Sequence, residues 1–439
     1  FVHKSTNKGL TWEIISPDLT TDNKEQQKQD DNGGLSVDIT GAENFNTILC
    51  IEPSTKDKNI IGVGTDDGNV QLTKDAGKTW TSFRGKIPGM PLGAWIHQVR
   101  ASRYNAGEAF VVCNDYRRAD FKPYIFRTKN YGQTWERMID EKKVRGYALC
   151  MIQDPVEPNL IFVGTEHGLW ISFDNGATFQ QWKNGYPSVS TYDMAIQERE
   201  SDLVIGTFGR AIYVFDDIKP LRKAAANNGN NFSKKLTVFP APEAYMARYR
   251  PGPGYDWSSW GLYEGDNRGR GASYSFYIKP DTTKKAKADS ALVKIYNQHN
   301  ELIRTLKYKA DTGFNRNNWG FEMNGIRQPG SPKPKPNAGE PRGQSVFPGT
   351  YKMVITVGKE SDSTMIVVNH DPTAPDSKEV YDAKVKMMER LDRSTMRLTE
   401  VTDRLTEAEE TIAKIEGQLK NEEGKAIDSL KKAGKAMTD

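Results

Sequence analysis

Residues 60–80 read IIGVGTDDGNVQLTKDAGKTW, and residues 160–179 read LIFVGTEHGLWISFDNGATF. Each stretch contains an apolar and β-branched run, a polar turn, a second apolar run and a glycine-containing turn that ends on an aromatic residue. This order predicts two antiparallel strands followed by a tight connection to a third. Because one supersecondary unit is repeated, the pattern predicts an architecture in which similar sheets stack against one another.

The closing turn of this unit is an eight-residue pattern, Ser/Thr-x-Asp/Asn-x-Gly-x-Thr-aromatic, which occurs four times, at residues 5–12, 73–80, 128–135 and 172–179. It resembles the Asp-box of bacterial neuraminidase-repeat β-propellers. We expect Asp or Asn to accept backbone N–H bonds, Gly to take a positive φ, and the aromatic ring to plug the sheet. The residues expected to be structural are Asn7, Gly9, Trp12, Asp75, Gly77, Trp80, Asn130, Gly132, Trp135, Asp174, Gly176 and Phe179.

The spacing of the boxes sets the size of the repeat. Successive boxes start 68, 55 and 44 residues apart, and the shortest interval matches the roughly 40–50 residues of a four-stranded propeller blade. A further copy, LVIGTFGRAIYVFDD, lacks a box. Residues 1–217 therefore read as about four and a half blades, the C-terminal arc of a larger β-propeller, whose other blades are expected before Phe1 or on another chain, because an open ring leaves sheet faces unburied.

The residue composition of the sequence changes after residue 217. We expect a linker over residues 218–231, where AAANNGNN occurs, and an Ig-like β-sandwich over residues 232–370. A Pro-rich stretch at residues 329–348 predicts a mobile loop. The predicted strands of the sandwich are 236–239, 272–278, 291–296, 302–308, 319–323, 349–357 and 363–368.

Residues 371–439 predict an α-helical tail. Leu391, Leu398, Leu405, Ile412 and Leu419 recur every seven residues, and a second set follows three positions after the middle members, which is the a/d seam of a coiled coil. That second set is Val401, Ala408 and Ile415. The seam needs a partner helix. Two alternatives remain open, a helical hairpin in which residues 425–437 fold back, or an intermolecular coiled-coil tail.

Composition excludes several classes of function. The net charge is +4, and basic residues are interspersed with acidic ones, so we expect no nucleic-acid partner; the basic stretch at 219–287 reads as solvated surface. No apolar run reaches the length of a transmembrane segment. The three cysteines lie in strand-like runs, and the five histidines lack metal-ligand spacing, so neither a metal nor a cofactor is expected.

The order of parts, with box-containing blades that end in GTFGRAIYVFDDIKPLR, resembles the C-terminal half of large bacterial sortilin-like propeller proteins, often labelled glycosyl-hydrolase-like. The later segments KIYNQHNELIRTL, GFNRNNWGF and FPGTYKMVIT resemble a hook-capping-type Ig-like domain. These resemblances imply an exported protein of a Gram-negative bacterium, located in the periplasm, at the outer membrane or outside the cell. They imply no particular activity, since propellers carry many functions.

A site on this arc is expected on the face opposite the boxes, where loops enter each innermost strand and where the second and third strands connect. The residues expected there as binding residues are Trp95, His97, Arg117, Arg145, Tyr147, His167, Tyr192, Phe208 and Arg210. The carboxylates expected there as candidate catalytic groups are Asp66, Asp115, Glu166 and Asp193.

This mixture of aromatic and charged residues predicts non-catalytic recognition of a protein or peptide, or scaffolding within an envelope complex. The alternative is an exported glycoside hydrolase acting on polysaccharide or sialoglycan, which needs two carboxyl groups about 5–9.5 Å apart. A sialidase would instead gather three arginines and a tyrosine nucleophile. The candidates for that arrangement are Arg117, Arg145 and Arg210 with Tyr147 or Tyr192.

Overall fold

The computed structural model describes residues 1–28, 45–226, 233–247, 269–280, 289–335, 338–372 and 378–438. The structure is mainly β and divides into two compact units, residues 1–233 and 234–439. Of the linker expected at 218–231, residues Lys219–Ala225 form a short helix instead, and residues 227–231 lie outside the described residues. Among the described residues, neither long helix is apolar enough to cross a membrane.

Unit 1 is a series of antiparallel sheets in which each strand pairs with the next in sequence. A short pair is followed by three sheets of four strands each and one sheet of three strands. The pair is β1 (His3–Lys4) and β2 (Glu13–Ile14), and the next sheet is β3 (Ile48–Pro53), β4 (Ile61–Thr65), β5 (Val70–Thr73) and β6 (Thr81–Ser82). Then follow β7 (Trp95–Ala101), β8 (Ala109–Asp115), β9 (Asp120–Thr128) and β10 (Glu136–Arg137).

A third four-stranded sheet and a final three-stranded sheet complete the series in unit 1. The four-stranded sheet is β11 (Ala148–Gln153), β12 (Ile161–Thr165), β13 (Gly168–Ser172) and β14 (Gln180–Trp182). The last sheet is β15 (Thr191–Gln197), β16 (Asp202–Thr207) and β17 (Ile212–Phe215), followed by α1 (Lys219–Ala225). Stacked antiparallel four-stranded meanders of this kind are typical of β-propeller blades.

Neighbouring sheets of unit 1 pack face to face with little space between them. A Cβ on Gly64 of β4 would lie 2.4 Å from Ile96 Cγ2 of the next sheet, and one on Gly164 of β12 would lie 2.6 Å from the Thr191 carbonyl oxygen. Both positions therefore require glycine. The buried layers between sheets contain Val99, Val111 and other apolar side chains of the strands. This close stacking brings the first strands of the four larger sheets, β3, β7, β11 and β15, to a common centre.

The four box turns share one geometry. In the second box, Thr73 Oγ1 accepts the Gly77 N–H (2.9 Å), and Asp75 Oδ1 accepts the Thr79 N–H (2.9 Å). The central residue and the glycine both have positive φ, 60° at Ala76 and 99° at Gly77. The boxes at residues 5–12, 128–135 and 172–179 repeat the same two hydrogen bonds at 2.8–2.9 Å.

The box aromatic residues differ in burial. Trp80 is half-buried, and its Nε1 donates to the carbonyl oxygens of Gly77 (3.1 Å) and Ile15 (3.2 Å). Trp135 packs edge-on against Phe83 at 5.6 Å. Trp12, by contrast, is 62% exposed. The expectation of a plugging ring is therefore wrong for Trp12, because the described sheet to which its turn belongs has only the two strands β1 and β2.

Apolar side chains are also exposed on the first and last extended sheets of the series. Leu49 and Ile51 of β3 are exposed, as are Ile212 and Val214 of β17. In the sheets between them, strands β8 and β12 are almost wholly buried. Ile212 and Val214 thus leave apolar surface on the last sheet, whereas Leu49 and Ile51 lie on the first strand of theirs.

Unit 2 begins with strands that form a three-stranded sheet, β18-β20-β23, and a five-stranded sheet, β19-β27-β26-β21-β22, around one core. Trp319, Tyr274 and Met353 are fully buried in that core. The strands are β18 (Leu236–Val238), β19 (Ala244–Tyr245), β20 (Ala272–Ile278), β21 (Asp289–Tyr296), β22 (Leu302–Ala310), β23 (Gly313–Trp319), β24 (Glu322–Asn324), β25 (Arg342–Ser345), β26 (Gly349–Val357) and β27 (Glu360–Asn369).

Two expectations for unit 2 differ from the structure. In place of the single strand expected at 319–323, β23 ends at Trp319 and β24 begins at Glu322. The positive φ of 66° at Phe321 separates the two strands. The Pro-rich stretch 329–348 was expected to be wholly a loop, yet it contains β25, which pairs with β24. Buried Arg304 stabilises this region by donating to the Pro341 carbonyl oxygen at 2.7 Å. Residues 336–337 of that stretch lie outside the described residues.

The C-terminal part of unit 2 consists of α2 (Lys378–Leu419) and α3 (Lys425–Thr438). The chain turns back between them, so that Gly434 of α3 lies beside Ile412 and Glu416 of α2. Lys431 Nζ also donates to the Glu422 carbonyl oxygen at 3.2 Å. Because α3 has only 14 residues, it covers only the C-terminal part of the α2 seam.

Candidate functional site

The first strands of four sheets in unit 1 surround one cavity of about 640 Å³. These strands are β3, β7, β11 and β15, and the turns that follow β8 and β16 complete the wall. Seven of the residues expected from the sequence lie in this lining. They are Trp95, His97, Arg117, Tyr147, Tyr192, Asp193 and Phe208.

An aromatic and cationic cluster forms one wall of this central cavity. The guanidinium carbon of Arg117 lies 3.3 Å from the Trp95 ring centroid and 4.5 Å from that of Tyr116. Tyr116 in turn stacks on Tyr147 at 4.7 Å. A 3-10 turn at Tyr116–Arg118, between β8 and β9, directs these side chains to the wall. Successive stacking fixes a guanidinium and three aromatic rings in one arrangement, with the Arg117 N–H groups available as donors.

A second aromatic pair lies at β7 and β15. The His97 and Tyr192 rings meet edge to face at 5.0 Å. Burial lowers the pKa of His97, against the opposing effect of the nearby Asp193 charge. The imidazole is therefore neutral at pH 7, and it offers one donor and one acceptor rather than a positive charge.

Asp193 ties three inner strands together. Its Oδ1 accepts hydrogen bonds from Gln98 Nε2 of β7 at 2.8 Å and from the Met194 N–H at 2.8 Å, and Arg100 lies 3.3 Å away. Gln98 also accepts the Met151 N–H of β11 at 3.0 Å. These bonds to one oxygen fix the position of the carboxylate in the cavity.

Glu52 is a second carboxylate in the lining, and the sequence did not identify it as a candidate site residue. Its Oε1 accepts the Ala101 N–H at 3.3 Å. Burial raises the pKa of Glu52, and the positive charges of Arg100 and Arg103 partly oppose this rise. Glu52 therefore holds its proton to a higher pH than an ordinary glutamate. Its position in the apolar run ILCIEP gave no signal that a strand residue would face the cavity.

The other three candidate catalytic carboxylates lie outside the cavity lining. Asp66 is buried at the β4–β5 turn, where its Oδ1 accepts the Thr47 N–H at 2.7 Å, and burial raises its pKa to about 6. Asp115 is buried and paired with Arg118 at 2.7 Å. Glu166 lies on the β12–β13 turn, 3.9 Å from the ring nitrogen of His167. Each therefore lies at a strand end or turn rather than in the cavity.

The three arginines of the sialidase hypothesis do not line one cavity. Arg117 lines the central cavity, Arg145 lines a separate one beside residues 119–123, and Arg210 is exposed at the β16–β17 turn. Their separation arises because each follows a different strand end. Sequence spacing alone gave no measure of how far these strand ends lie from the centre.

The described part of the chain offers few groups suited to nucleophilic catalysis or metal binding. Burial raises the pKa of the Cys50 thiol to about 11, and it also raises those of the fully buried Cys113 and Cys150. These thiols are therefore protonated at pH 7. Among the described residues, no three His, Cys, Asp or Glu side chains lie close enough to hold a metal ion.

No family model and no curated protein matches the chain. Among solved structures, it is similar to a YCF48 bound to D1 peptide (15% identity, TM-score 0.29, 39% of this chain and 50% of that one). It is also similar to an ancestral GH74 enzyme, with 11% identity and a TM-score of 0.33 over 70% of this chain and 35% of that one. A third is PorZ, a surface component of the type-IX secretion system of Porphyromonas gingivalis. It has 13% identity and a TM-score of 0.27 over 79% of this chain and 53% of that one. The chain thus spans about a third to a half of these structures.

Proposed function

We propose that the chain is a non-catalytic recognition module that binds an extended protein or peptide segment in the central cavity. The observation that carries this proposal is the fixed cluster of Trp95, Tyr116, Arg117 and Tyr147. Preorganised aromatic and arginine side chains lose little conformational entropy on binding, which is why such residues dominate the energetics of recognition sites.

The polar groups of the cavity suit a peptide backbone. Arg117 supplies N–H donors on one wall, while Asp193 supplies a carboxylate acceptor on another. Leu49, Ile51 and Phe208 add apolar surface at which side chains of a bound segment lose contact with water. A cavity of about 640 Å³ lies within the range of ligand sites and accommodates part of an extended segment.

The wider architecture belongs to the same proposal. Residues 1–217 are assigned as an arc of an Asp-box propeller, residues 232–370 as an Ig-like sandwich and residues 371–439 as a helical tail of an exported bacterial protein. The box hydrogen bonds and the exposed apolar residues Ile212 and Val214 of β17 support the first assignment, since a further sheet packed on that end would bury them. The binding function is then that of one component of an envelope complex.

The second candidate is an exported glycoside hydrolase, and one specific observation favours it. Glu52 and Asp193 line the same cavity, and their environments differ, because burial raises the pKa of Glu52 while Asp193 accepts hydrogen bonds from Gln98 and the Met194 N–H beside Arg100. Such a difference suits a general acid paired with a base or nucleophile. In this reading Glu52, rather than one of the carboxylates expected from the sequence, is the proton donor.

Peptide binding tests the first candidate. Peptides are selected from a displayed random library against the wild-type chain, and affinities are measured by titration calorimetry. Trp95→Ala and Tyr147→Ala should each weaken binding by about 1–4 kcal/mol. Arg210→Ala is the matched control, because Arg210 is exposed outside the cavity lining. Affinities that are unchanged by both aromatic substitutions would contradict binding in the cavity.

Turnover separates the two candidates. The wild-type chain, Glu52→Gln and Asp193→Asn are assayed on a panel of polysaccharides, sialoglycans and aryl glycosides. Recognition predicts no turnover by any of the three proteins. Turnover by the wild type that either substitution abolishes would overturn the recognition proposal in favour of hydrolysis, since loss of either essential carboxyl group removes acid, base or nucleophile function.

A further inference from the structure

Helix α2 has an apolar stripe that unit 2 leaves exposed. Met387, Leu391, Leu398, Val401 and Leu405 are between 54% and 75% exposed. Their spacing of three, four and seven residues places them along one face, since a helix turns about 100° per residue. We call this stripe, residues 387–405, the open seam.

A different face of α2 holds the helix to unit 2. Thr399 is buried, and its Oγ1 donates to the Arg327 carbonyl oxygen at 2.8 Å. Asp403 pairs with Arg327, and Asp392 accepts from Gln344 Nε2 at 2.7 Å. By helical rotation these contacts lie roughly 130° from the middle of the open seam. The helix is therefore fixed in place while the seam faces away from the sandwich.

One edge of the open seam is basic. Arg390, Arg397 and Arg404 each precede a seam leucine by one position, and all three are exposed. In heptad terms they occupy successive g positions, where charge selects the partner of a coiled coil. The opposite edge carries Thr395 and Thr402, which are uncharged.

These edges argue against a second copy of α2 as the occupant. In an antiparallel pair the g positions of the two copies face each other, so the arginine rows would repel. In a parallel pair Arg390 and Arg397 would face Thr395 and Thr402 of the other copy, which provides no charge pairing. Arg404 would face Glu409, but in each copy α3 covers the seam from Ile412 onward.

We infer that the open seam docks an amphipathic helix of another protein, one with apolar core positions and acidic residues along the edge that meets Arg390, Arg397 and Arg404. The strict seven-residue repeat favours a helix over a lipid surface, because a surface-bound helix has a wider apolar face that is rich in bulky aromatic residues. This docking would join the chain to a larger complex and is independent of ligand binding in unit 1.

Synthetic peptides test the inference on the full chain. Two helical peptides of about four heptads carry identical Leu and Ile core positions, one with Glu and the other with Lys at the flanking positions. Fluorescence anisotropy should show that the acidic peptide binds at least about tenfold more tightly than the basic one, with an affinity that falls as salt rises. Equal affinity for the two peptides would overturn the charge selection.

Charge reversal supplies the matched control. Arg390→Glu, Arg397→Glu and Arg404→Glu in one chain should reverse the preference between the two peptides. Lys307→Glu, Lys309→Glu and Lys352→Glu make the same change in net charge at exposed strand positions of the sandwich and should leave the preference unchanged. A reversal by both triple variants would show that net charge, rather than the seam edge, selects the peptide.

Three further measurements can contradict the inference. Leu391→Ala, Leu398→Ala and Leu405→Ala together should abolish binding without loss of helical circular dichroism, because these side chains are exposed and Ala favours helix. Retained binding would place the peptide elsewhere. A concentration-dependent dimer in light scattering, lost in this variant, would identify a second copy as the occupant. Co-sedimentation with phosphatidylglycerol vesicles, lost in the same variant, would identify a membrane surface.

Discussion

The box turns and the central cavity of unit 1 are built from similar residue types used in opposite ways. Within the eight residues of the second box, the Asp75 carboxylate accepts hydrogen bonds from Thr73 and Thr79. In the cavity, Asp193 accepts from Gln98 of another sheet. The box recurs with the same bonds in four places, whereas each cavity residue occurs once. Repetition therefore marks the residues that hold the sheets, and the unrepeated inner-strand residues form the site.

The largest expected effect is at Gly77. A Cβ there would lie 2.4 Å from the Ile15 carbonyl oxygen, and the φ is +99°. Gly77→Val should lower the free energy of unfolding by about 2–5 kcal/mol, from strain and overlap together. Gly9→Val, with nothing nearer than 3.7 Å and a φ of +89°, should cost only about 1–2 kcal/mol.

Urea denaturation measures both values, and the peptide affinity of the folded fraction should be unchanged in each variant. A Gly77→Val chain as stable as Gly9→Val would show that the turn relaxes freely. Loss of peptide affinity in a stable box variant would break the division between box and cavity.

The next effect concerns Asp66, which the sequence placed on the binding face and the structure places in a buried turn. Because burial raises its pKa to about 6, folding favours the protonated form. The contribution of Asp66 to stability should thus increase as pH falls from about 6 toward about 4, by an amount on the order of 2 kcal/mol. Asp66→Asn should lack this increase. Thermal melts of both proteins between pH 4 and 7 measure the difference, and identical profiles would contradict it.

Asp75 should show the opposite sign. Its hydrogen bonds with Thr79 and Thr73 lower its pKa to about 2, so folding favours the ionised form. The stabilisation is present above pH 4 and is lost as pH falls toward 2. Asp75→Asn should remove this acid sensitivity and keep the turn, since Asn130 already forms the same turn by donating from Nδ2 to Thr134 Oγ1 at 2.9 Å. Melts at pH 2–4 test this, and an unchanged acid profile would be the contrary result.

The smallest effect is expected at Arg210. It was expected from the sequence to be a binding residue, but it is exposed beyond the cavity lining. Arg210→Ala should change both stability and peptide affinity by less than about 0.5 kcal/mol. A loss of affinity comparable to that of Trp95→Ala would extend the site to the β16–β17 turn.

The sequence predicts local structure well where one short segment contains all the interacting groups. The box bonds join residues at most four positions apart, so a pattern such as Thr73 to Trp80 contains the whole interaction. Glu52 and Arg100 were missed because their place in the cavity depends on how four sheets converge. The strand expected at 319–323 was displaced because the run 315–318, Asn-Arg-Asn-Asn, has little strand propensity and is held in β23 by its pairing with β20.

Hydrogen exchange of the full chain, followed by mass spectrometry with and without a saturating selected peptide, tests the central claim most directly. The account predicts slower exchange in β7 and β15 and in the 3-10 turn at Tyr116–Arg118, with no change at the four boxes. Slower exchange confined to the box turns, with inner strands unaffected, would contradict it.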